Sequence, residues 1–202
     1  IKDIPWTKLS ARWVYIVPGR IPFPVVSAVV RRFKSQGTAI AMDPSKFYLQ
    51  MGARKLRPIL RILDVIKMNR EEASYLTGIS YRDERRIFKK FDELVPGLAV
   101  MTDGPKGVLV SDGRTLYRAG VFKEKKVVDR TGAGDAFGSG FVAALMRYKT
   151  FDRKSIAEAI RLGTANATSV VEAIGAQKGI LTKREFMKNR RWKNLPIQSR
   201  AL

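Results

Sequence analysis

The fold of this chain is decided by one segment in its second half, Val128-Asp129-Arg130-Thr131-Gly132-Ala133-Gly134-Asp135. An apolar pair precedes its glycines, and a stretch with apolar residues at helical spacing follows them. Glycines let the backbone approach a ligand closely, and the first turn of a helix offers free N–H groups at the positive end of the helix dipole. The segment therefore predicts an anion site at a helix N-terminus. An ordinary N-terminal helix cap is an equally good interpretation of the segment alone.

Asp135 needs its own explanation, because its charge opposes any phosphate bound at the same helix end. As a general base it would accept the proton of a hydroxyl that attacks phosphorus. The N–H groups of Gly132, Ala133 and Gly134 would then stabilise the charge that develops. The sequence has no histidine and no cysteine, so a catalytic base must be a carboxylate, a lysine or a tyrosine.

Short apolar segments alternate with amphipathic ones along the chain, whose 202 residues fit a single domain over 1–202. The apolar spacing predicts strands over 13–17, 38–42, 64–68 and 98–102, and a hairpin in which 108–111 and 115–118 flank an Asp-Gly turn. Helices are expected over 25–33, 56–63, 71–77 and 87–95, followed by two more after Gly132. This order predicts an α/β fold of three layers, α/β/α, with a mostly parallel sheet and an antiparallel hairpin at its margin.

Residues 129–140 resemble the C-terminal signature of the ribokinase-like carbohydrate kinases, the phosphofructokinase-B family. The resemblance implies a Rossmann-like, ribokinase-like fold and ATP as the phosphoryl donor. It also implies that Asp135 is the catalytic base and that the amides of Gly132, Ala133 and Gly134 form the anion hole. Arg130 departs from the Thr or Ser that is more usual in the family.

Two earlier segments resemble family elements in the expected order. Asn69-Arg70-Glu71-Glu72 resembles the Asn-x-x-Glu element, which implies that Asn69 contacts ATP and that Glu72 holds Mg²⁺ through water. By itself this spacing is more typical of a helix cap with its reciprocal partner. The turn after the strand at 98–102 resembles the Thr-x-Gly-x-x-Gly element, implying nucleotide contacts from Thr102, Gly104 and Gly107. Without its neighbours, this turn is an ordinary glycine loop leading into a hairpin.

The segment from Gly163 to Gln177 resembles the last helix and following loop of the family. The resemblance implies that Gly163 and Asn166 bind ATP near the adenine, although Asn166 is equally well explained as a helix-interior residue bonded to backbone. It also implies that Asp129 and Thr131 hold a monovalent cation such as K⁺.

Family members carry a longer N-terminal part that supplies most contacts with the acceptor, and nothing similar precedes Trp13. We expect an N-terminally truncated member, either a fragment of a longer kinase or a natural truncation. The fragment is favoured because the missing strands would leave an open sheet edge and an uncovered apolar face, so we expect a partner chain or a reduced sheet. A homodimer is one such arrangement. The acceptor itself is left open between sugars, sugar phosphates and nucleosides.

The net charge is unusual, at +21 from 39 Lys and Arg against 18 Asp and Glu. It favours polyanionic partners, or else reflects a proteome of generally basic proteins. In the tail, basic side chains surround Phe186 and Trp192. The alternative function is therefore an inactive kinase-derived protein that binds nucleic acid or a larger assembly, with these aromatics stacking on bases. A solvated C-terminal helix explains the same tail.

The longest apolar runs, such as 13–17 and 25–30, are far shorter than the roughly 20 residues of a membrane span. No secretory signal is visible at the start of the sequence. We expect a cytoplasmic protein without a membrane partner.

Overall fold

The computed structural model describes residues 4–202. Its strands form one seven-stranded sheet in which spatial order follows chain order. The strands are β1 (Trp13–Ile16), β2 (Ala39–Met42), β3 (Val65–Asn69), β4 (Leu98–Thr102), β5 (Val108–Ser111), β6 (Thr115–Ala119) and β7 (Ile197–Ala201). Strands β1, β2 and β3 pair in parallel, with Trp13 opposite Ala39 and Ala41 opposite Val65.

Eight α-helices lie within the described residues: α1 (Phe23–Ser35), α2 (Lys46–Leu49), α3 (Gly52–Leu60), α4 (Arg70–Thr77), α5 (Glu84–Leu94), α6 (Ala133–Leu145), α7 (Arg153–Val171) and α8 (Lys183–Lys188). Short 3₁₀ helices cover Trp6–Lys8, Gly104–Lys106 and Arg190–Trp192. The predicted α/β class is confirmed. None of the helices in this part of the chain combines the length and apolar character that a membrane span needs.

The first of two compact units holds residues 4–101, 110–116 and 201–202. Strands β2 and β3 are largely buried, as expected where helices cover a sheet, whereas β1 is half-buried along its length. Helix α1 has Pro24 in its first turn, where the missing N–H costs no hydrogen bond, and buries Val26, Val30 and Phe33 along one stripe. Helix α4 ends at Gly78, whose positive φ of 69° closes the helix in the left-handed region.

The second unit holds residues 102–109 and 117–200, and the pair α6 and α7 forms its centre. The two helices approach closely at glycines. A Cβ at Gly163 would lie 2.9 Å from the Phe137 carbonyl oxygen, and one at Gly140 would lie 3.1 Å from that of Leu162. Both positions therefore allow the backbones to come together, which holds the N-terminus of α6 against α7.

Two elements, α2 and β7, were not predicted from the sequence pattern. Helix α2 has only four residues, too short for a helical period to be visible. Strand β7 has a half-buried Ile197 followed by exposed residues, so it lacks the alternation that marks a half-buried strand. Strand β7 lies next to β6 at an end of the strand order.

Candidate active site

A cleft with a volume of about 130 Å³ lies within the second unit. The turn of residues 102–107, the N-terminus of α6 and one face of α7 form its walls, together with parts of the loop between β6 and α6. Its lining residues include Thr102, Gly104, Gly107, Val121, Glu124, Arg130, Ala133, Gly134, Thr164, Ala167, Thr168 and Val171. The structure thus brings together the predicted turn and the predicted anion hole.

Gly132 precedes the first residue of α6 and has a φ of 79°, in the left-handed region. A Cβ at this position would lie 2.5 Å from the Ala176 Cβ and 2.6 Å from its Cα. Conformation and space both require glycine here. The loop at Ala176 therefore packs directly on the start of the helix.

The amides at this helix end differ from one another. The Ala133 N–H donates to the Arg130 carbonyl oxygen at 3.3 Å, so it is already engaged within the turn. Within residues 4–202, no acceptor takes the amide protons of Gly132, Gly134 and Asp135. The N–H groups left unengaged in this part of the chain are therefore those of Gly132, Gly134 and Asp135, and the anion-hole role of Gly132, Ala133 and Gly134 stays a prediction.

Asp135 lies in the first turn of α6 with an exposed side chain. Its carboxylate makes no hydrogen bond or ion pair with any residue in the described part of the chain. An aspartate that capped the helix would accept from a backbone N–H of the first turn. The cap interpretation of Asp135 is therefore not supported, and the carboxylate remains available for proton transfer.

Asp129 lies in the loop that precedes α6. Its carboxylate accepts two hydrogen bonds, from the Thr131 N–H at 2.9 Å and from the Gly175 N–H at 3.1 Å. These bonds, with Thr131 contributing most, hold the pKa of the Asp129 carboxyl below its usual range. Asp129 thus ties the approach to α6 to the loop that follows α7. The cation role of Asp129 and Thr131 stays a prediction.

The glycine turn of residues 102–107 follows strand β4, as the sequence predicted. Gly104 and Gly107 have φ values of 51° and 95°, and a Cβ on Gly107 would lie 2.7 Å from the Gly120 Cα. The Gly107 carbonyl oxygen accepts from the Asp103 N–H at 2.8 Å, which closes the turn. Backbone rather than side chains therefore forms most of this wall of the cleft.

Gly163 and Asn166 do not line the cleft. Asn166 is only 5% exposed, its Oδ1 accepts from the Leu181 N–H at 3.0 Å, and it lines a separate cavity with Gly140 and Phe186. Gly163 packs against Phe137. A helix of 3.6 residues per turn presents Thr164, Ala167 and Thr168 to the cleft, and the ATP contacts of Gly163 and Asn166 stay a prediction.

Asn69 and Glu72 belong to the first unit, where they form a complete capping box. The Glu72 Oε2 accepts from the Asn69 N–H at 2.8 Å, and the Asn69 Oδ1 accepts from the Glu72 N–H at 2.9 Å. Burial raises the pKa of the Glu72 carboxyl, the Asn69 hydrogen bond opposes this, and the charge of Asp43 adds to it. The capping interpretation is confirmed, and the Glu72 Oε1 has no hydrogen-bond partner within residues 4–202.

A buried ion pair near Glu72 was missed from the sequence. Lys67 Nζ lies 2.5 Å from the Asp43 Oδ2, and the two residues are 7% and 8% exposed. The Tyr15 hydroxyl donates to the same Asp43 oxygen at 3.4 Å. The signal was a single lysine inside the apolar strand β3, since a buried charge requires a partner.

The tail aromatics are not exposed. Phe186 and Trp192 are 5% and 3% exposed, and Trp192 packs edge-on against Phe122 with ring centroids 5.1 Å apart. The expectation that they stack on nucleic-acid bases is wrong, because both rings belong to the core of the second unit. The basic side chains around them, such as Lys188 and Arg190, are exposed.

Fold and cleft together define an open α/β protein in which unengaged amides at a helix N-terminus lie beside a glycine turn. The chain belongs to the pfkB family of carbohydrate kinases, whose family model matches residues 9–183. The predicted family and ribokinase-like fold are confirmed.

Individual relatives of the chain are also sugar or nucleoside kinases. The chain is 32% identical over 170 residues to a ribokinase of Haemophilus influenzae, covering 82% of this chain and 52% of the relative. It is 31% identical over 175 residues to a cytidine kinase of Thermococcus kodakarensis, covering 85% and 59%. The chain therefore spans about half the length of the curated relatives it matches.

Solved structures show the same fold. A ribokinase from Thermotoga maritima superposes with a TM-score of 0.74 at 28% identity, covering 93% of this chain and 61% of that one. An Arabidopsis thaliana ribokinase complexed with ribose and ATP gives 0.76 at 23% identity, covering 91% and 56%.

Proposed function

We propose that this chain carries the nucleotide-binding and catalytic part of an ATP-dependent kinase that phosphorylates a hydroxyl of a sugar or nucleoside. One observation carries the proposal: free amides and a carboxylate without a partner share the first turn of α6, at the edge of the cleft. Amides suit a phosphate, and a free carboxylate beside them suits the hydroxyl that attacks it.

In this proposal Asp135 accepts the proton of the acceptor hydroxyl as the hydroxyl oxygen bonds to the γ-phosphorus of ATP. The bond between the γ-phosphorus and the β–γ bridging oxygen breaks, and ADP leaves with its electron pair. The amides of Gly132, Gly134 and Asp135 receive the charge that develops on the phosphoryl oxygens. The turn of residues 102–107 and the α7 face around Ala167 hold the nucleotide. Positioning and electrostatic stabilisation supply most of the rate enhancement.

Mg²⁺, when bound, would neutralise charge on the transferring phosphates. The described residues contain no group of three acidic side chains that could hold a metal directly, which favours a hydrated ion. The Glu72 Oε1, which no hydrogen bond within residues 4–202 occupies, fits a hydrogen bond from a metal-bound water, and Asn69 fixes the position of that carboxylate. Asp129 and Thr131 remain the proposed residues for a monovalent cation.

The sugar or nucleoside class follows from the names of the relatives, which include ribokinases and a cytidine kinase. Bound nucleotide is recorded for two structural neighbours, a ribokinase with ATP and a fructokinase with ADP. ATP is therefore the proposed donor for this chain.

Replacing the base tests this assignment. Asp135→Asn keeps the shape of the side chain but removes its basicity, so phosphoryl transfer should fall by about a thousandfold, within the range for general bases. ATP binding should change little. The measurement is ATP consumption with a panel of sugars and nucleosides, alongside calorimetric titration of ATP.

Asp152→Asn is the matched control, because Asp152 caps α7 and asparagine caps equally well. Wild-type turnover in Asp135→Asn would exclude this residue as the base. Loss of turnover in both variants would point to a structural effect instead.

A further inference from the structure

The loop between β6 and α6 has no helix or strand of its own from Gly120 to Thr131, yet it contributes Val121, Glu124 and Arg130 to the cleft. A segment without regular structure is positioned by the side chains and backbone groups that contact it. The question is therefore which residues hold this wall of the cleft in place.

One residue that holds this loop is Arg191, in the C-terminal tail. Its Nη1 donates to the Glu172 Oε2 at 2.8 Å, its Nη2 donates to the other oxygen of Glu172, and Nη2 also donates to the Lys123 carbonyl oxygen at 2.6 Å. The Glu172 Oε1 in turn accepts from the Lys125 N–H at 2.6 Å. Tail, end of α7 and loop are thus joined through one guanidinium and one carboxylate.

These contacts fix the backbone on both sides of Glu124. The Lys123 carbonyl is held before it and the Lys125 amide after it. Glu124 itself lines the cleft and pairs with Arg130 at 3.4 Å, and Arg130 also lines the cleft just before the start of α6. A shift of the clamped backbone would therefore move this wall of the cleft.

Arg191 and Glu172 together form what we call the clamp, and both side chains are largely shielded from water. The Arg191 and Glu172 side chains are 19% and 14% exposed, and the guanidinium lies 4.3 Å from the centroid of the Trp192 ring. The hydrogen bonds from Arg191 hold the pKa of the Glu172 carboxyl below its usual range. A planar fork that meets a carboxylate, a carbonyl and an aromatic face at once is a geometry that lysine cannot reproduce.

We propose that Arg191, acting through Glu172, is a positioning residue for nucleotide binding, and this inference rests on the proposed kinase function. Arg191 lies outside residues 9–183, which the family model matches, whereas Glu172 and the loop that it holds lie within them. The tail thereby sets the wall of the cleft that holds Glu124 and Arg130.

The test compares Arg191→Lys with wild type in the full chain. Lysine keeps the charge but loses the fork, so the Kd for ATP should rise by about tenfold, within the usual range of coupling between sites. Hydrogen exchange of backbone amides should accelerate in residues 121–131 and stay unchanged in β4. Arg190→Lys is the matched control, since Arg190 is the exposed neighbour and its side chain makes no hydrogen bond or ion pair within residues 4–202.

Glu172→Gln provides a second variant of nearly equal shape and should show the same two changes. Unchanged ATP affinity in Arg191→Lys, or faster exchange throughout the chain with the same loss of affinity, would overturn the inference. A wild-type chain that binds no ATP would refute the proposed function and, with it, the nucleotide role of Arg191. The exchange pattern would then still decide whether the clamp orders the loop.

Discussion

At the scale of single residues, the start of α6 depends on Gly132. Its φ of 79° favours glycine, and its missing side chain makes room for Ala176 of the loop after α7. The same loop is tied to Asp129 through the Gly175 amide. The three free amides are therefore presented by a backbone that is held from two directions.

Gly132→Ala should lower the free energy of unfolding by more than the backbone strain of an alanine in the left-handed region would lower it. Gly78→Ala is the matched control, because Gly78 has a φ of 69° and open space where its Cβ would lie. Backbone strain alone costs about 1 kcal/mol, and the contact with Ala176 adds to it only in Gly132→Ala. Urea denaturation of both variants measures the difference, and equal losses would show that packing on Ala176 contributes nothing.

Local chemistry explains which site residues the sequence predicted. The glycines at 104, 107 and 132 have positive φ values, and Asp135 follows in the first turn of α6, so their short motifs contain the information that places them. Asn166 lies away from the cleft because a motif on a helix does not state which face meets a ligand. Lys67 and Arg191 were missed because their partners, Asp43 and Glu172, lie 24 and 19 positions away in the sequence.

At the scale of elements, α5 is joined to the hairpin by an unusual carboxylate. The Asp92 oxygens accept from the Ser111 hydroxyl of β5 at 2.9 and 3.0 Å. Burial raises the pKa of Asp92 from 3.8 to about 6, the Ser111 hydrogen bond opposes this, and the charge of Asp112 adds to it. The contact between helix and hairpin therefore favours the protonated carboxyl.

This pKa predicts a pH-dependent contribution to stability. The folded chain keeps the Asp92 proton to higher pH than the unfolded chain, so this contribution is present below pH 3.8 and is lost as pH rises to about 6. An asparagine side chain at this position would mimic the protonated form. Asp92→Asn should therefore gain stability relative to wild type between about pH 4 and pH 7, as measured by denaturant unfolding, by an amount moderated because the carboxyl is partly exposed.

Asp152→Asn should show the opposite trend. The hydrogen bond from the Ser155 amide lowers the pKa of Asp152, so wild type gains stability from it as pH rises. If Asp92→Asn and wild type differ by the same amount at every pH, Asp92 does not titrate as described.

The elements themselves followed closely from apolar periodicity. The strands from β2 to β6 are largely buried and the longer helices bury one stripe, which leaves a pattern in the sequence. Strand β1 is only half-buried, but its residues are apolar or aromatic throughout. Strand β7 leaves none, because four of its five residues are exposed and its place next to β6 depends on pairing rather than on burial. A search for alternating apolar residues does not detect a strand that is held by pairing and buries little side-chain surface.

At the scale of the whole molecule, the charge of +21 is carried mainly by exposed lysine and arginine side chains, whereas the tail aromatics among them are buried. Burial of Phe186 and Trp192 removes the stacking platform that a single-stranded nucleic acid would use. Arg191, a basic residue of the tail, instead meets a carboxylate of this chain. We therefore propose the nucleotide-binding part of a kinase, with the cleft of the second unit as its centre.

Calorimetric titration of the chain with ATP tests that account most directly, using Ala167→Phe to fill the cleft and Ala143→Phe as a control on α6 away from it. Wild type and Ala143→Phe should bind one ATP with equal affinity, and Ala167→Phe should lose at least about tenfold, equivalent to roughly 1.4 kcal/mol. Absence of saturable ATP binding by wild type, or equal affinity in Ala167→Phe, would contradict it.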